Sequence, residues 1–379
     1  MMAVAPTPIL QFGTSRFLLA HADLFISEAM DRDEALGPVT VVQTTGNPAS
    51  ARRIQALADG AAYPVRIRGL KDGKTIDEMR QGRAIARALF AGTDWPAIVS
   101  AGIVADVILS NTGDRGYDLD ESDDVVRLSE PDRVPVSFPA KLLVLLYARW
   151  RARPGRPVSI FPCELVQRNG DKLKAIVLTI ARNWKLSSDF LGYIEARCHF
   201  ANGLVDRIVS EPLEPVGAVA EPYALWAIEA QEGLVLPCRH PSLVVTDNLD
   251  RYEHLKLHIL NLGHSYLAER WLAGNRPAGE TVREIMADPY VRRDLEAVWR
   301  DEVVPVFALE GMRNDALRYV DEVRERFLNP YLDHRLADIA GNHTEKKLRR
   351  IKPMLDRGHA TTPPISQPLL AAALEASHA

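Results

Sequence analysis

Cysteine is scarce and dispersed. The three cysteines in 379 residues, Cys163, Cys198 and Cys238, form no CxxC pair and no even set, and no HExxH motif is present. Neither a disulfide framework nor a zinc site is signalled, and no metal is expected. The cysteines read as reduced thiols. Long hydrophobic runs are missing as well: none reaches the roughly 20 residues of a membrane-spanning helix. The opening MMAVAPTPILQFG also lacks the basic and apolar regions of a secretory signal. A cytoplasmic location is therefore expected. Nor is there an excess of one charge. The 46 Lys and Arg face 50 Asp and Glu, spread along the chain, so neither nucleic acid nor an anionic membrane is implied as partner. A small molecule fits better, and oligomeric state is left open. What remains, 47% hydrophobic and 25% charged residues, is ordinary for a globular chain with two substantial cores.

Short β-branched runs, ILQFG at 9–13, TVVQTT at 40–45, AIVSAG at 97–102 and VILSNTG at 107–113, alternate with helical patterns. FLLAHADLFISEAM from Phe17 and FPAKLLVLLYARWR from Phe138 are the clearest of those helices. The rhythm predicts a parallel sheet with helical crossovers. PVSIFPCE is a further strand, ending near Glu164, and a capped helix, NGDKLKAIVLTIARNW, follows it. GLVDRIV at 203–209 and VGAVAEPYALWAIEA at 216–230 add less regular sheet pieces. Beyond about residue 250 the pattern is almost only helical. The last twenty residues read as a proline-broken linker and a short alanine-rich helix without chemistry.

The first strand runs into GTSRFLLAH. Gly13 ends the strand and a helix starts at once, so the turn through Thr14, Ser15, Arg16 and Phe17 can offer backbone N–H groups to a pyrophosphate. The full GxGxxG fingerprint is absent, with Ser15 at its second glycine and Leu18 at its third. An ordinary strand-to-helix turn is the alternative. The second strand ends Gln43, Thr44, Thr45 without the carboxylate that holds a ribose. Arg52 and Arg53 follow, either as partners of a 2′-phosphate or as a solvated helix face. NAD is the expected cofactor and NADP stays possible. Asn111, Thr112 and Asp114 close another strand where open α/β sheets bind ligands, or are plain turn residues. The fold expected is α/β: a Rossmann-like, doubly wound, dinucleotide-binding domain over 1–250 and a mostly α-helical substrate and catalytic domain over 251–379.

KLHILNLGHSYLAERW, from Lys256, is apolar nearly all round yet keeps a lysine, an asparagine and a histidine. At about 100° per residue, Lys256, Asn261 and His264 share an arc of roughly 140°. A helix so apolar is expected to be buried, where an unpaired ammonium costs several kcal/mol. Lys256 therefore needs partners, a wet or liganded cavity, or a lowered pKa. It also follows the cap-like Asp247, Asn248 and Asp250, where the helix dipole disfavours positive charge. Both terms point to general-base duty. Asn261 and His264 lean back toward the lysine as donors around one small oxygen. Gly263, which costs about 1 kcal/mol relative to alanine in mid-helix, implies close approach by a neighbour. A snorkelling lysine beside a satisfied core histidine is the alternative. Glu164, Asn169, Asp206, Arg326, Asn329 and His334 are further polar candidates, each of which alone is unremarkable and reads as an ion pair, a turn or a surface residue.

In order and spacing, Lys256, Asn261 and His264 match the signature of the long-chain polyol-specific (mannitol) dehydrogenase family, which this chain resembles. The likeness is closest to its tagaturonate reductase (altronate oxidoreductase) branch, through ILQFGTSRFL, LSNTGDRGY, SFPAKLL, FPCELVQRNGDKL, GLVDRIV and EPYALWAIEA. The resemblance implies an NAD(H)-dependent, metal-independent oxidoreductase that interconverts a keto group and a secondary alcohol on a sugar acid. Lys256 would be the general acid and base, and Asn261 and His264 would hold the reacting oxygen. Asp206, Arg326 and His334 fall at the substrate, with Glu164 and Asn169 as further candidates; Gly13, Phe17, Asn111 and Thr112 fall on the cofactor side. Leu165 stands where mannitol enzymes carry a substrate-contacting asparagine, which argues against plain mannitol. Arg326, Lys346, Lys347 and Arg349 are the cations expected to be available to a carboxylate or phosphate. A polyol, aldonate or phosphosugar dehydrogenase and a nucleotide-binding module without turnover are the alternative readings.

Overall fold

The structure is a computed structural model and describes residues 7–46, 48–58, 60–113, 115–130 and 132–376; Asp114 lies outside the described residues. The chain divides into two compact units. One takes residues up to Ile67, Glu78–Ala220 and Ala224–Leu249, the other Arg68–Asp77, Glu221–Tyr223 and everything from Asp250 onward. Among the described residues no helix is long and apolar enough to cross a membrane.

The first unit is built on a six-stranded parallel sheet in the order Ile85–Phe90, Val39–Gln43, Ile9–Phe12, Val107–Ser110, Val158–Pro162, Cys198–Phe200. Counted along the chain this is 3-2-1-4-5-6, the Rossmann order, whose switch point lies between the first and fourth strands. Four of these strands are buried at every position, because helices cover both faces of a parallel sheet. Phe12 stands opposite Val42 and Ser110, and Ser110 opposite Pro162. Gly13, Gln43, Asn111 and Cys163 therefore leave the sheet side by side at its carboxyl edge.

AIVSAG, expected as a strand, lies inside the helix Ala91–Val104. A short apolar run has no period of its own to separate strand from buried helix. The third strand is instead Ile85–Phe90, beside Val39–Gln43. Sequence reasoning passed over a hairpin, Tyr63–Lys71 and Lys74–Gly82, turned by Asp72 and Gly73 at φ 52° and 71°. Its signals were a DG turn and strict alternation along YPVRIRGL. GLVDRIV is two strands in different sheets, Gly203–Asp206 and Val209–Pro212. The helix expected from Phe17 breaks at His21 (φ −125°, ψ −97°) into Arg16–Ala20 and Ala22–Met30.

From Asp250 onward the second unit is helical. The helix expected around Lys256 is in fact three segments: α over Asp250–Leu255, π over Lys256–Asn261, and α again over Leu262–Ala273. Ile259, Leu262 and Tyr266 join Trp299, Phe307, Val323 and Phe327 in the core.

The closing helix Pro368–Glu375 is held at both ends by buried charge. The Glu302 carboxylate accepts from the Leu369 and Leu370 N–H groups at 2.9 and 2.8 Å. Lys347 Nζ donates to the carbonyls of Ala373 and Ala376 at 2.9 and 2.7 Å, and pairs with Glu269 at 2.9 Å. Both signs match the helix dipole. Lys347 is thus buried and committed, and is not the available cation that was expected.

In the first unit, Gln11 Nε2 donates to Asp23 Oδ2 at 3.1 Å, with both side chains fully buried. Burial pushes the Asp23 carboxyl up to about 7, against the pull of that bond. Among the described residues Gln11 Oε1 and Asp23 Oδ1 have no hydrogen-bond partner. Because the folded state holds this proton more tightly than the unfolded one, the stability it contributes is complete below the unfolded carboxyl pKa. That contribution is lost as pH rises through about 7.

Lys347→Ala should lower unfolding free energy by about 3–5 kcal/mol in urea titrations, since Glu269 and two carbonyls lose their donor; a loss under about 1 kcal/mol would refute the clamp. Asp23→Asn should gain thermal stability over the parent as pH rises from 5 to 8, and a pH-independent difference in Tm would show that Asp23 does not titrate there.

Candidate active site

At the switch point of the sheet, Gly13 adopts φ 107°, and a Cβ there would lie 2.5 Å from the Asn111 carbonyl oxygen. Only glycine fits. Ser15 caps the next helix, its Oγ accepting from the Leu18 N–H at 3.2 Å and donating to Asn111 Oδ1 at 3.1 Å. Asn111 Nδ2 in turn donates to the Cys163 carbonyl at 2.7 Å. The Thr14 hydroxyl donates to Gln43 Oε1, whose amide nitrogen donates to Thr45. Ser15 and Asn111 form one hydrogen-bonded link at this edge, and Thr14 and Gln43 a second. Arg53 Nη1 donates to the Thr14 carbonyl at 3.0 Å and so braces the turn, while Arg52 and Arg16 are exposed. Phe17 stacks on the His21 ring at 4.8 Å, and Thr44 is half-buried just past its strand.

Glu164 and Asn169, expected at the substrate, are hydrogen-bonded into this edge of the sheet. Glu164 Oε1 accepts from the Thr112 N–H and hydroxyl at 3.0 and 2.9 Å, and Oε2 from the Ser110 hydroxyl at 3.1 Å. Burial pushes its carboxyl up, and the Thr112 and Ser110 bonds oppose that shift. Asn169 is 1% exposed. Its Nδ2 donates to the carbonyls of Pro162, Glu164 and Gly203, and its Oδ1 accepts from the N–H groups of Gly170 and Gly203. No group of that amide is left for a ligand. Asp206 is buried at the end of its strand, beside Arg207, whose Nη1 donates to the Ala20 carbonyl at 2.7 Å.

In the second unit the π-turn changes the expected geometry. The Leu262 N–H reaches the Leu257 carbonyl, five residues back. With i→i+5 bonds each residue turns less than in an α-helix, so Lys256 and Asn261 stand closer to one face than the 140° of a regular helix. Both are half-buried. The argument from a fully buried ammonium therefore does not hold for Lys256. His264 is buried between two rings, Phe327 stacked at 4.5 Å and His334 edge-on at 4.9 Å. Burial holds the His334 imidazole below its ordinary pKa, with Asp338 opposing and Lys346 adding to the shift. Gly263 has the close neighbours its position implied: a Cβ would stand 3.0 Å from Trp299 and 3.1 Å from Phe327.

Arg326 is 5% exposed. It forms a two-point pair with Glu221 at 3.0 and 2.9 Å and lies 4.4 Å over the Tyr223 ring. Asn329 donates to the Arg68 carbonyl at 3.3 Å and accepts from the Tyr331 N–H at 3.0 Å. Lys346 Nζ donates to the Ile339 carbonyl at 2.8 Å, and Arg349 is exposed. Glu221, Tyr223, Phe327 and Arg350 were not found from the sequence. Glu221 lies 105 residues from Arg326, and nothing local announces the pair.

Residues 7–235 match the family model for the mannitol dehydrogenase Rossmann domain, and 248–374 that for the mannitol dehydrogenase C-terminal domain. Altronate oxidoreductase of Bacillus subtilis (strain 168) is 33% identical over 374 residues, 92% of this chain and 75% of its own length. The altronate oxidoreductase of Halalkalibacterium halodurans is 31% identical over 372 residues, 92% of this chain and 70% of its own. Two solved structures share the fold at 20% identity. D-sorbitol dehydrogenase in substrate-free form has a TM-score of 0.79 over 97% of this chain and 78% of its own. Pseudomonas fluorescens mannitol 2-dehydrogenase, in a ternary complex with NAD and D-mannitol, has a TM-score of 0.70 over 99% of this chain and 79% of its own. With both domains matched between residues 7 and 374, this chain belongs to the mannitol dehydrogenase family of oxidoreductases.

Proposed function

We propose that the protein interconverts a keto group and a secondary alcohol on a sugar acid of the tagaturonate/altronate type, using NAD(H), with Lys256 as general acid and base and without a metal ion. The observation that carries this is the π-turn. It draws Lys256 and Asn261 toward one face and runs directly into His264, whose ring meets His334. Relatives named altronate oxidoreductase, 28–33% identical over most of the chain, support the substrate class.

A dinucleotide fits the first unit. Its carboxyl edge has the Rossmann switch point, and the chain there turns on a glycine whose Cβ would collide with Asn111, as close backbone approach to a pyrophosphate requires. Gly13 to Phe17, with Gln43, Thr44, Asn111 and Thr112, would hold it. Bound there, it would supply the hydride chemistry of its nicotinamide ring.

The chain's own residues manage the proton and the oxygen. In oxidation neutral Lys256 Nζ takes the proton of the substrate hydroxyl; in reduction the ammonium returns it to the carbonyl oxygen. Asn261 and His264 donate to that oxygen as negative charge develops, a role worth about 3–4 kcal/mol per donor. Phe327 and His334 fix the plane of the His264 ring.

A neutral polyol is the second reading, and one observation favours it. Arg326 already faces Glu221 at two points, so its charge is balanced before any substrate carboxylate arrives. Absorbance of the reduced nicotinamide, followed with tagaturonate and fructuronate plus NADH and with alditols plus NAD, separates the two. Turnover of the keto-uronates is expected; turnover of alditols alone would overturn the sugar-acid reading. Lys256→Ala should lower kcat by about 10²–10⁴-fold while NADH binding, read by fluorescence, stays at the parental level. Equal loss of both would give Lys256 a structural role instead.

A further inference from the structure

The π-turn depends on groups outside its own helix. Each carbonyl has two acceptor lone pairs, and where the π register meets the α-helix outside donors can share a carbonyl with the main chain; the Ile259 carbonyl, for one, also accepts from the Leu262 N–H. Two side chains from distant segments supply them. Trp299 Nε1 donates to the Ile259 carbonyl at 3.2 Å. Arg350 Nη1 donates to the Asn261 carbonyl at 3.2 Å and to Ser265 Oγ at 3.0 Å. A return bond runs from the π-turn: His258, buried and with its pKa driven down to about 4 by desolvation, donates its Nδ1–H to the Arg350 carbonyl at 3.0 Å.

Both outside donors are themselves fixed. Trp299 is fully buried, sits in a second π-turn over Val298–Val303, and packs against Gly263 and Phe327. Arg350 ends the helix His343–Arg350, and burial holds its guanidinium below the ordinary arginine value, with Arg349 adding to the shift. Each acts on the main chain of the segment that carries Asn261.

We propose that Arg350 and Trp299 are positioning residues for the reaction: by holding the carbonyls of Ile259 and Asn261 they keep the π register, and with it the alignment of Lys256 and Asn261 on one oxygen. The proposal rests on the reading of Lys256, Asn261 and His264 given above. Relaxation to an α-helix would return Lys256 and Asn261 to the wider separation of roughly 140°, and a misplacement of about 1 Å is enough to cost roughly 10²-fold in rate.

The test uses Trp299→Phe, which keeps an aromatic ring and removes the N–H, Arg350→Met, which keeps the stem and removes the donors, and Arg350→Lys, which restores one donor. Steady-state kcat and KM, NADH binding, and hydrogen exchange of peptides spanning 256–265 are measured on the full chain, with Lys256→Ala alongside. Trp299→Phe and Arg350→Met should each lower kcat about 10- to 100-fold, speed exchange within 256–265, and leave NADH binding unchanged. Arg350→Lys should recover part of the kcat. If Lys256→Ala is inactive while Trp299→Phe and Arg350→Met turn over at the parental rate, the positioning role falls and the catalytic reading stands. If Lys256→Ala itself turns over normally, the catalytic reading falls and takes the positioning role with it. A loss confined to thermal stability, with kcat intact, would likewise reduce both residues to structural ones.

Discussion

A buried carbonyl must find a donor, and much of this structure is arranged around that constraint. Arg149 is fully buried, yet its guanidinium faces no carboxylate among its hydrogen bonds; it donates to the carbonyls of Gly102, Ile103, Ala105 and Pro157. These lie where the helix Ala91–Val104 ends and where Val158–Pro162 begins. Asn169 does the same for three carbonyls at the carboxyl edge of the sheet, Lys347 for the last turn of the closing helix, and Arg350 and Trp299 for the π-turn. Regular ladders satisfy strand and helix interiors. Long polar side chains satisfy the places where a ladder stops or changes register.

That division sorts the polar residues of the candidate site. A side chain with every donor and acceptor used by the main chain fixes geometry and has little to offer a ligand, which is the position of Asn169, while Glu164 is held by the Ser110 and Thr112 hydroxyls and the Thr112 N–H. Arg326 belongs to an intermediate class, buried, matched by Glu221 and lying over an aromatic ring. Lys256, Asn261 and His334 keep part of their surface open, and His264 meets rings on both sides. Residue type alone does not separate these classes. An asparagine in a staple and an asparagine at a reacting oxygen look alike in sequence.

The parallel core was legible because four of its strands are buried on both faces and so appear as unbroken apolar runs between helical patterns. AIVSAG misled for the same reason: six apolar and small residues satisfy a strand and a buried helix equally. That Lys256, Asn261 and His264 sit in one otherwise apolar helical stretch was visible from sequence, and the structure places them over consecutive π and α segments. The close neighbour of Gly263 was visible as a propensity penalty. The π-turn was not, because an α-period reading fixes 100° per residue and cannot register one inserted residue. Glu221 was also out of reach. Its pairing with Arg326 is created by the tertiary fold, and a chain separation of 105 residues leaves no local trace.

The departure from GxGxxG has a steric explanation that a motif search does not contain. The first glycine is retained at Gly13, where a Cβ would meet a carbonyl oxygen at 2.5 Å and φ is 107°. At the second position the chain carries Ser15 at φ −66°, a conformation open to any residue, and its hydroxyl both caps the helix and binds Asn111 across the switch point. At the third position Leu18 is fully buried, in a helix that runs only five residues before it breaks at His21. The sequence is therefore glycine only where the backbone leaves no room for anything else. At the other two positions side chains contribute a cap and core volume, and the turn reaches the same place in the sheet with one glycine instead of three.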